Sequence, residues 1–375
     1  MLDGPASRQY ESPMDRTPQT TKDATELPLW KKVLFTLILA IGFPVVALLA
    51  IEGAGYAILH LKHGVPGKSY GLWTYDAELG AIHANNAYNS NSQTNDYGFR
   101  NKEAVIEPKP PGAYRVIAYG GSTTFCYNLE TDRAWPLRLQ EILRARTKSK
   151  SQVLNAGAIM WSIGQEVARA KRDLPRLKPD VVIIYSGINE QANEELLRLE
   201  GISLERALAE GRHGLFARHL DQGRWLKRNS TIVRFIDYAG VADWFSPTPH
   251  ADIDGGTPKA PAKDAGINPV VAENFDRTLR EFIELIRKNG AKPIYVIVGG
   301  LPELGRNTQL LRYSRQGAET ARQAGALVID SNEVVAAYKG NRRDLFSDSG
   351  VHWSDLGAGL LAEFIDEKAL KLMAP

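Results

Sequence analysis

The chain has 375 residues, of which 43% are apolar and 24% are charged. These fractions are typical of a globular protein, and the formal net charge of +3 is too small to indicate nucleic-acid binding. The single cysteine, Cys126, excludes an intrachain disulfide and a cysteine-rich metal site. The length allows one large domain or two small ones, and we expect no nucleic-acid partner.

The N-terminal part of the chain joins a polar tail to a long apolar run. Residues 1–28 are polar and mixed in charge, which predicts a disordered tail. The run from Val33 to Ile51 has no charged side chain, and as a helix it would span ~28 Å, about the hydrocarbon thickness of a bilayer. A soluble core helix of this length would show a polar stripe. We therefore predict a transmembrane anchor over residues 29–55, which Pro44 should kink.

A cleaved signal peptide is the alternative interpretation of this run. The apolar core of a signal peptide is about 7–15 residues long and follows a short N-terminal region, whereas this run is longer and starts late. Lys31 and Lys32 precede the run, so the positive-inside rule places residues 1–28 in the cytoplasm. The prediction is a single-pass protein that enters the membrane through residues 33–51. Its remaining chain would be extracytoplasmic, either periplasmic or on the cell surface.

The rest of the chain divides at a proline-rich linker. Residues 56–112 are predicted to form a stalk and an N-terminal extension, and residues 113–375 a domain in which strands alternate with helices. The predicted strands are Val116–Tyr119, Gln152–Asn155, Asp180–Tyr185, Pro293–Val298 and Leu327–Asp330. The predicted helices are Trp135–Arg146, Ser162–Leu177, Val271–Asn289, Leu310–Ala324 and Ser354–Leu372. This alternation predicts an α/β fold with a parallel sheet covered on both faces.

An insert at residues 196–268 interrupts the alternation. It is too long for a plain connection, so we predict a cap or lid over the functional site. Its part between Glu205 and Arg234 is basic. A solvated or membrane-facing surface is the simpler interpretation of these charges, and a groove for an acidic glycan or a lipid headgroup is the more specific one.

Four short stretches, far apart in the chain, carry residues suited to acyl transfer. Three of them end predicted strands and the fourth precedes the last helix. Ser122 follows two glycines after the first strand, Gly157 follows the second strand, and Asn189 follows the third. The carboxyl ends of parallel strands share one rim, which His352 could reach from the loop before the last helix. A serine needs a base to take its proton, and backbone or amide N–H groups stabilise the developing oxyanion.

The order Ser122, Gly157, Asn189 and His352 resembles that of the SGNH (GDSL-type) esterase family. The resemblance covers roughly residues 114–372 without the insert, and Asn95–Arg100 also resembles a segment of membrane-anchored bacterial members. It implies a flavodoxin-like three-layer α/β/α sandwich and no metal or organic cofactor. By motif, Ser122 would be the nucleophile and His352 the base. The oxyanion donors would be Ser122, Gly157 and Asn189.

Two positions depart from the family pattern. Gly121 stands where the family has an aspartate before the nucleophile. The family's acid precedes the histidine by three residues, a place that Ser349 occupies here. Asp348, one residue earlier, is the predicted triad acid and Asp344 the alternative. A backbone carbonyl could also orient His352, which would leave a dyad.

These residues predict a serine esterase that removes an acyl group by a Ser-His-Asp acyl-enzyme mechanism. The expected substrate is an acylated small molecule, a cell-envelope glycan or a lipid, and the sequence does not indicate protein partners. An O-acyltransferase on the same fold would use the same residues and pass the acyl group to a sugar hydroxyl. A third alternative is a catalytically inactive module for envelope assembly or glycan binding.

Overall fold

The structure, a computed structural model, describes residues 27–63, 69–70, 72–76, 78–89, 91–147, 150–190, 230, 232, 267–301, 311–348 and 350–371. Nearly all of the predicted tail, nearly all of the predicted insert with its basic segment, and Ser349 lie outside the described residues. By its internal contacts the chain separates into two compact units, Met1–Leu61 and Lys62–Pro375.

The described part of the first unit lies in one long helix with a local distortion. Helix α1 spans Leu29–Leu37, a π-helical turn spans Ile38–Gly42, and helix α2 spans Phe43–His63. The distortion lies directly before Pro44, whose ring nitrogen cannot donate to the carbonyl four residues back. By length and composition, Leu29–Gly55 could cross a membrane as an anchor or serve as a signal sequence. The helix continues to His63, past the end of the predicted anchor.

The second unit begins with short strand pairs in the N-terminal extension. Strand β1 (Ser69–Tyr70) pairs in parallel with β4 (Ala87–Tyr88), and β2 (Trp73–Asp76) pairs antiparallel with β3 (Gly80–His83). No strand was predicted in the stalk and extension, because strands of only two or four residues show almost no periodic pattern.

Five parallel strands form the central sheet. They are β5 (Arg115–Gly120), β6 (Gln152–Asn155), β7 (Val181–Tyr185), β8 (Lys292–Ile297) and β9 (Leu327–Asp330). Their order across the sheet is β6-β5-β7-β8-β9, and each neighbouring pair is parallel. This is the flavodoxin-like order, so the predicted fold class is confirmed.

Helices cover both faces of the sheet. They are α3 (Ser122–Phe125), α4 (Trp135–Thr147), α5 (Ile163–Leu177), α6 (Pro269–Lys288), α7 (Arg312–Gln323), α8 (Asn332–Ala337) and α9 (Asp355–Ile365), and a π-helical turn at Asp366–Leu370 follows α9. Side chains alternate along β5: Val116 packs in the cluster with α4 and α9, and Ile117 packs in the cluster with α5, α6 and α7. The predicted elements of the domain agree with these bounds within two residues, apart from the last helix, where the π-helical turn interrupts the predicted span. The short helices α3 and α8 were not predicted.

The edge of the sheet at β6 is covered by the extension. The backbone N–H of Arg100 donates to the Asn155 carbonyl at 2.8 Å. The side chain of Asn101 donates to the Val153 carbonyl at 2.9 Å and accepts from the Asn155 N–H at 2.9 Å. These bonds occupy outward-facing backbone groups that an edge strand would otherwise expose. The segment Asn95–Arg100, whose role the sequence did not reveal, thus packs directly on the domain.

Candidate active site

Ser122 lies at a sharp junction between β5 and α3. The strand ends at Gly120, Gly121 precedes the helix, and Ser122 is the buried first residue of α3. A Cβ at Gly120 would lie 2.1 Å from Thr124 Oγ1 and 2.5 Å from the Tyr185 carbonyl oxygen, so only glycine fits this turn. The hydroxyl is therefore placed at the carboxyl end of the sheet, where parallel α/β folds bind ligands.

His352 joins Ser122 to a carboxylate. Its Nε2 lies 2.7 Å from Ser122 Oγ, and its Nδ1 is hydrogen-bonded to Asp348 Oδ2. When Nδ1 carries the proton and donates it to Asp348, Nε2 has a free lone pair facing the hydroxyl. The structure thus places the predicted nucleophile, base and acid in one hydrogen-bonded series.

The carboxylate of Asp348 is held in its ionised form. Its Oδ1 accepts backbone N–H groups from Gly350 at 2.9 Å, Val351 at 3.1 Å and His352 at 3.1 Å. Burial opposes the charge, but the hydrogen bond and electrostatic attraction of the His352 ring N–H, together with the backbone donors, outweigh it and hold the pKa of Asp348 well below its usual range. This turn also accommodates the acid four residues before the histidine, one more than in the family pattern.

Asp344, the alternative acid, lies elsewhere. It is exposed in the 3₁₀ turn Arg342–Leu345, and its backbone carbonyl accepts from Ser354 Oγ at 2.6 Å. Within the described part of the chain, the carboxylate that contacts the ring of His352 is that of Asp348. The dyad alternative is likewise not the observed arrangement, because a carboxylate rather than a carbonyl holds Nδ1.

Aromatic side chains fix the loop that carries His352. Phe346 and Trp353 stack with ring centres 4.8 Å apart, and Trp353 Nε1 donates to Tyr185 OH at 2.9 Å. The half-buried ring of Tyr127 stands edge-on to His352 with ring centres 4.8 Å apart. Tyr127 was not anticipated from the sequence, since its position five residues after the serine carries no motif.

Asn189 lies close to the serine with a restrained amide. The residue is buried, and its Nδ2 donates to the Trp161 carbonyl at 2.9 Å. An amide nitrogen has two hydrogens, so one remains for another acceptor. Ser122, as the first residue of α3, has a backbone N–H with no acceptor inside its helix. Both groups are suited to stabilising negative charge beside Ser122 Oγ.

Gly157 is placed next to α3, but its N–H has an acceptor. That N–H donates to Asn155 Oδ1 at 3.0 Å. A Cβ at Gly157 would lie 2.5 Å from the Phe125 nitrogen, so close packing on α3 accounts for the glycine. Its use as an oxyanion donor stays a prediction and requires the N–H to exchange its acceptor. Met160, in the same loop, has a φ of 63°, a conformation rare for non-glycine residues outside functional loops.

Two buried carboxyl groups lie next to this loop and were not anticipated from the sequence. Ser186 Oγ donates to Glu166 Oε2, and Glu190 Oε1 accepts the Ile163 N–H at 3.1 Å. Burial raises the pKa of Glu166 to about 8 and that of Glu190 to about 8. Glu190 follows Asn189 directly, so the loop beside the amide is held by a carboxyl group that is largely neutral at pH 7.

Cys126 is a core residue. The thiol is buried and free, and burial raises its pKa to about 11, so it is not a reactive thiolate at neutral pH. Among the described residues, no group of three or more histidine, cysteine or acidic side chains is arranged to hold a metal ion.

Solved structures similar to this chain include a lipase/acylhydrolase from Enterococcus faecalis, with 16% identity over 70% of this chain and 98% of that chain and a TM-score of 0.43. An acetyl xylan esterase from Geobacillus stearothermophilus has 17% identity over 69% of this chain and 96% of its own, with a TM-score of 0.41. The psychrotrophic esterase EstA from Pseudoalteromonas sp. has 11% identity over 70% of this chain and 99% of its own, with a TM-score of 0.40.

No curated protein sequence matches the chain. The model of the GDSL-like lipase/acylhydrolase family matches residues 118–360, which is more than half of the chain and includes every residue of the site described above. The chain therefore belongs to the GDSL-like lipase/acylhydrolase family and is an ester hydrolase.

Proposed function

We propose that the chain cleaves an ester through an acyl-enzyme intermediate on Ser122, with His352 as the base and Asp348 as the acid that orients it. The observation that carries the proposal is the 2.7 Å separation of His352 Nε2 from Ser122 Oγ, with Asp348 on the opposite ring nitrogen. A hydroxyl in this arrangement loses its proton to the ring as it attacks.

The reaction then has two balanced halves. Ser122 Oγ bonds to the acyl carbon while Nε2 of His352 takes the hydroxyl proton, and the same nitrogen protonates the departing alcohol. Water repeats the sequence: His352 takes a proton from it, its oxygen bonds to the acyl carbon, and the proton returns to Ser122 Oγ as the acid leaves. Donors for the oxyanion of each tetrahedral intermediate are the N–H of Ser122, the amide of Asn189 and the N–H of Gly157.

The substrate we propose is an acyl ester on a cell-envelope glycan or lipid. The apolar helix from Leu29 to Gly55 supports this assignment, since an anchor through residues 33–51 would keep the catalytic domain at the membrane. Lys31 and Lys32 before the run favour an extracytoplasmic location for that domain.

A covalent serine probe tests the mechanism. Full-length protein in detergent is treated with a fluorophosphonate, and Ser122→Ala is expected to lose both the label and the hydrolysis of a short p-nitrophenyl ester. Cys126→Ala is the matched control, because it removes the buried thiol four residues after Ser122 and should keep the label. Labelling of Ser122→Ala at the wild-type rate would contradict the assignment, and a wild-type protein without label or turnover would indicate an inactive module.

Product analysis tests the substrate. Acylated envelope glycans and acylated lipids are supplied separately, and released acid is measured in each case. Free acid from the glycan or lipid supports hydrolysis. Acyl groups found instead on an added sugar acceptor would show that the acyl-enzyme is resolved by transfer, while release from neither class would overturn the envelope substrate.

A further inference from the structure

Arg100 is a buried arginine that is bonded to carbonyl and hydroxyl oxygens. Its Nε and one terminal nitrogen donate to Ser92 Oγ at 3.2 and 3.0 Å. Its terminal nitrogens also donate to the backbone carbonyls of Phe125, at 2.6 Å, and Leu129. The guanidinium carbon lies 4.7 Å from the centre of the Phe125 ring. No carboxylate pairs with Arg100 among the residues that the structure describes, so its planar fork serves to hold backbone oxygens.

The carbonyls that Arg100 holds belong to the last residue of α3 and to the turn that follows it. This turn, Phe125–Leu129, ends the helix that begins with Ser122. Because α3 has only four residues, its position depends on what holds its carboxyl end. Asn155 supports the same helix from the sheet, since its Nδ2 donates to the Thr124 carbonyl at 3.0 Å.

The same turn contacts the loop of His352. The ring of Tyr127 stands edge-on to the imidazole with ring centres 4.8 Å apart. Asn128 Nδ2 donates to Ser347 Oγ at 2.9 Å, and the backbone N–H of Ser347 donates to the His352 carbonyl at 2.8 Å. The turn therefore contacts the ring of His352 directly and its backbone through Ser347.

We propose that Arg100 is a positioning residue for the hydrolysis proposed above. By holding the turn Phe125–Leu129, its guanidinium fixes the spacing between Ser122 Oγ and His352 Nε2 without touching substrate. The N-terminal extension is in this way part of the catalytic apparatus. A lysine at this position keeps the charge but cannot reproduce the forked contact with two carbonyls and Ser92 Oγ.

Paired arginine variants test the inference, which depends on the proposed function. Arg100→Lys in the full chain is expected to lower kcat about 10- to 100-fold with KM within about threefold, since small misplacements of reacting groups cost up to about 10²-fold. The rate of fluorophosphonate labelling should fall with kcat. The matched control is Arg115→Lys: Arg115 is also buried and donates to the Leu177 carbonyl at 2.6 Å, but at the opposite end of β5. Arg115→Lys should keep kcat within about twofold of the wild-type value, even if its thermal midpoint falls.

Folded Arg100→Lys protein with wild-type kcat would overturn the inference, as would an equal loss of kcat in both arginine variants. If Arg100→Lys does not fold, Ser92→Ala decides, because it removes an acceptor shared by two guanidinium nitrogens. That variant should lower kcat about three- to tenfold at constant KM. A wild-type kcat in folded Ser92→Ala protein would then overturn the inference about Arg100. A wild-type enzyme that neither labels nor turns over would instead refute the proposed function.

Discussion

A Cβ atom at Gly121 would lie 2.6 Å from Nδ2 of Asn189. The backbone before the serine and the amide are thus packed against each other with no room for a side chain. The amide cannot easily retreat, because it also donates to the Trp161 carbonyl at 2.9 Å. Since the family pattern has an aspartate at this position, the glycine here reflects a local arrangement in which Asn189 lies directly against the chain.

Gly121→Ala should therefore impair turnover. The added methyl group displaces the amide of Asn189, and we expect kcat to fall about 10- to 100-fold, part of the loss typical for one oxyanion donor. Steady-state kinetics on a p-nitrophenyl ester measures it. Gly359→Ala is the control, because the nearest atom to a Cβ there lies at 3.6 Å. Unchanged kcat in folded Gly121→Ala would show that the amide does not need its observed position.

Asn189→Ala removes the amide itself. We expect kcat to fall roughly 10²–10³-fold with the fold intact, which is the usual cost of a lost oxyanion donor. The measurement is kcat and KM together with a thermal midpoint. A variant with raised KM and unchanged kcat would assign Asn189 to substrate binding.

Asp348→Asn tests the acid. The substitution removes the charge that holds Nδ1 of His352, and loss of an orienting carboxylate in a triad lowers kcat about 10⁴-fold. Asp344→Asn is the control and should stay within about twofold of wild type, since that side chain is exposed. The assignment fails if the control loses more activity than Asp348→Asn while both proteins remain folded.

The buried glutamates predict how stability depends on pH. The pKa of Glu166 rises from 4.5 when exposed to about 8 when folded, so the folded state binds the proton more tightly. Its contribution is fully present below the unfolded pKa and is lost as pH rises through about 8. Glu166→Gln keeps the neutral form at every pH, and its thermal midpoint should fall less than that of wild type between about pH 5 and pH 9. Parallel curves for the two proteins would contradict the raised pKa.

The N-terminal helix predicts tight membrane association. The full chain should stay in the membrane fraction after alkaline carbonate washing, because an uncharged run of this length is stable in hydrocarbon. N-terminal sequencing of the mature protein provides the control. A mature N-terminus after residue 50 would identify a cleaved signal in place of the anchor.

The sequence was sufficient for the sheet and for the pair Ser122 and His352. Apolar runs predicted the buried strands, and Ser122 and Asn189 followed from strand ends that share one rim. The choice between Asp348 and Asp344 depended on the conformation of a turn in which three backbone N–H groups donate to the Asp348 carboxylate. The spacing of residues in the sequence does not reveal that conformation.

Other features depended on contacts between distant parts of the chain. Tyr127 meets His352, and Asn128 meets Ser347, 219 positions away. Such pairs leave no local pattern. Nor does the sequence reveal that the Gly157 N–H already has an acceptor, because an Asn two residues earlier adopts many conformations.

The cover that residues 99–101 place over β6 has a practical consequence. A fragment starting at residue 113, the beginning of the alternating strand and helix pattern, would leave the backbone groups of Val153 and Asn155 open to pairing with a second molecule. We expect such a fragment to self-associate through this edge. A well-behaved soluble form should start between His63 and Leu72, which removes the apolar N-terminal helix and keeps the covering segment.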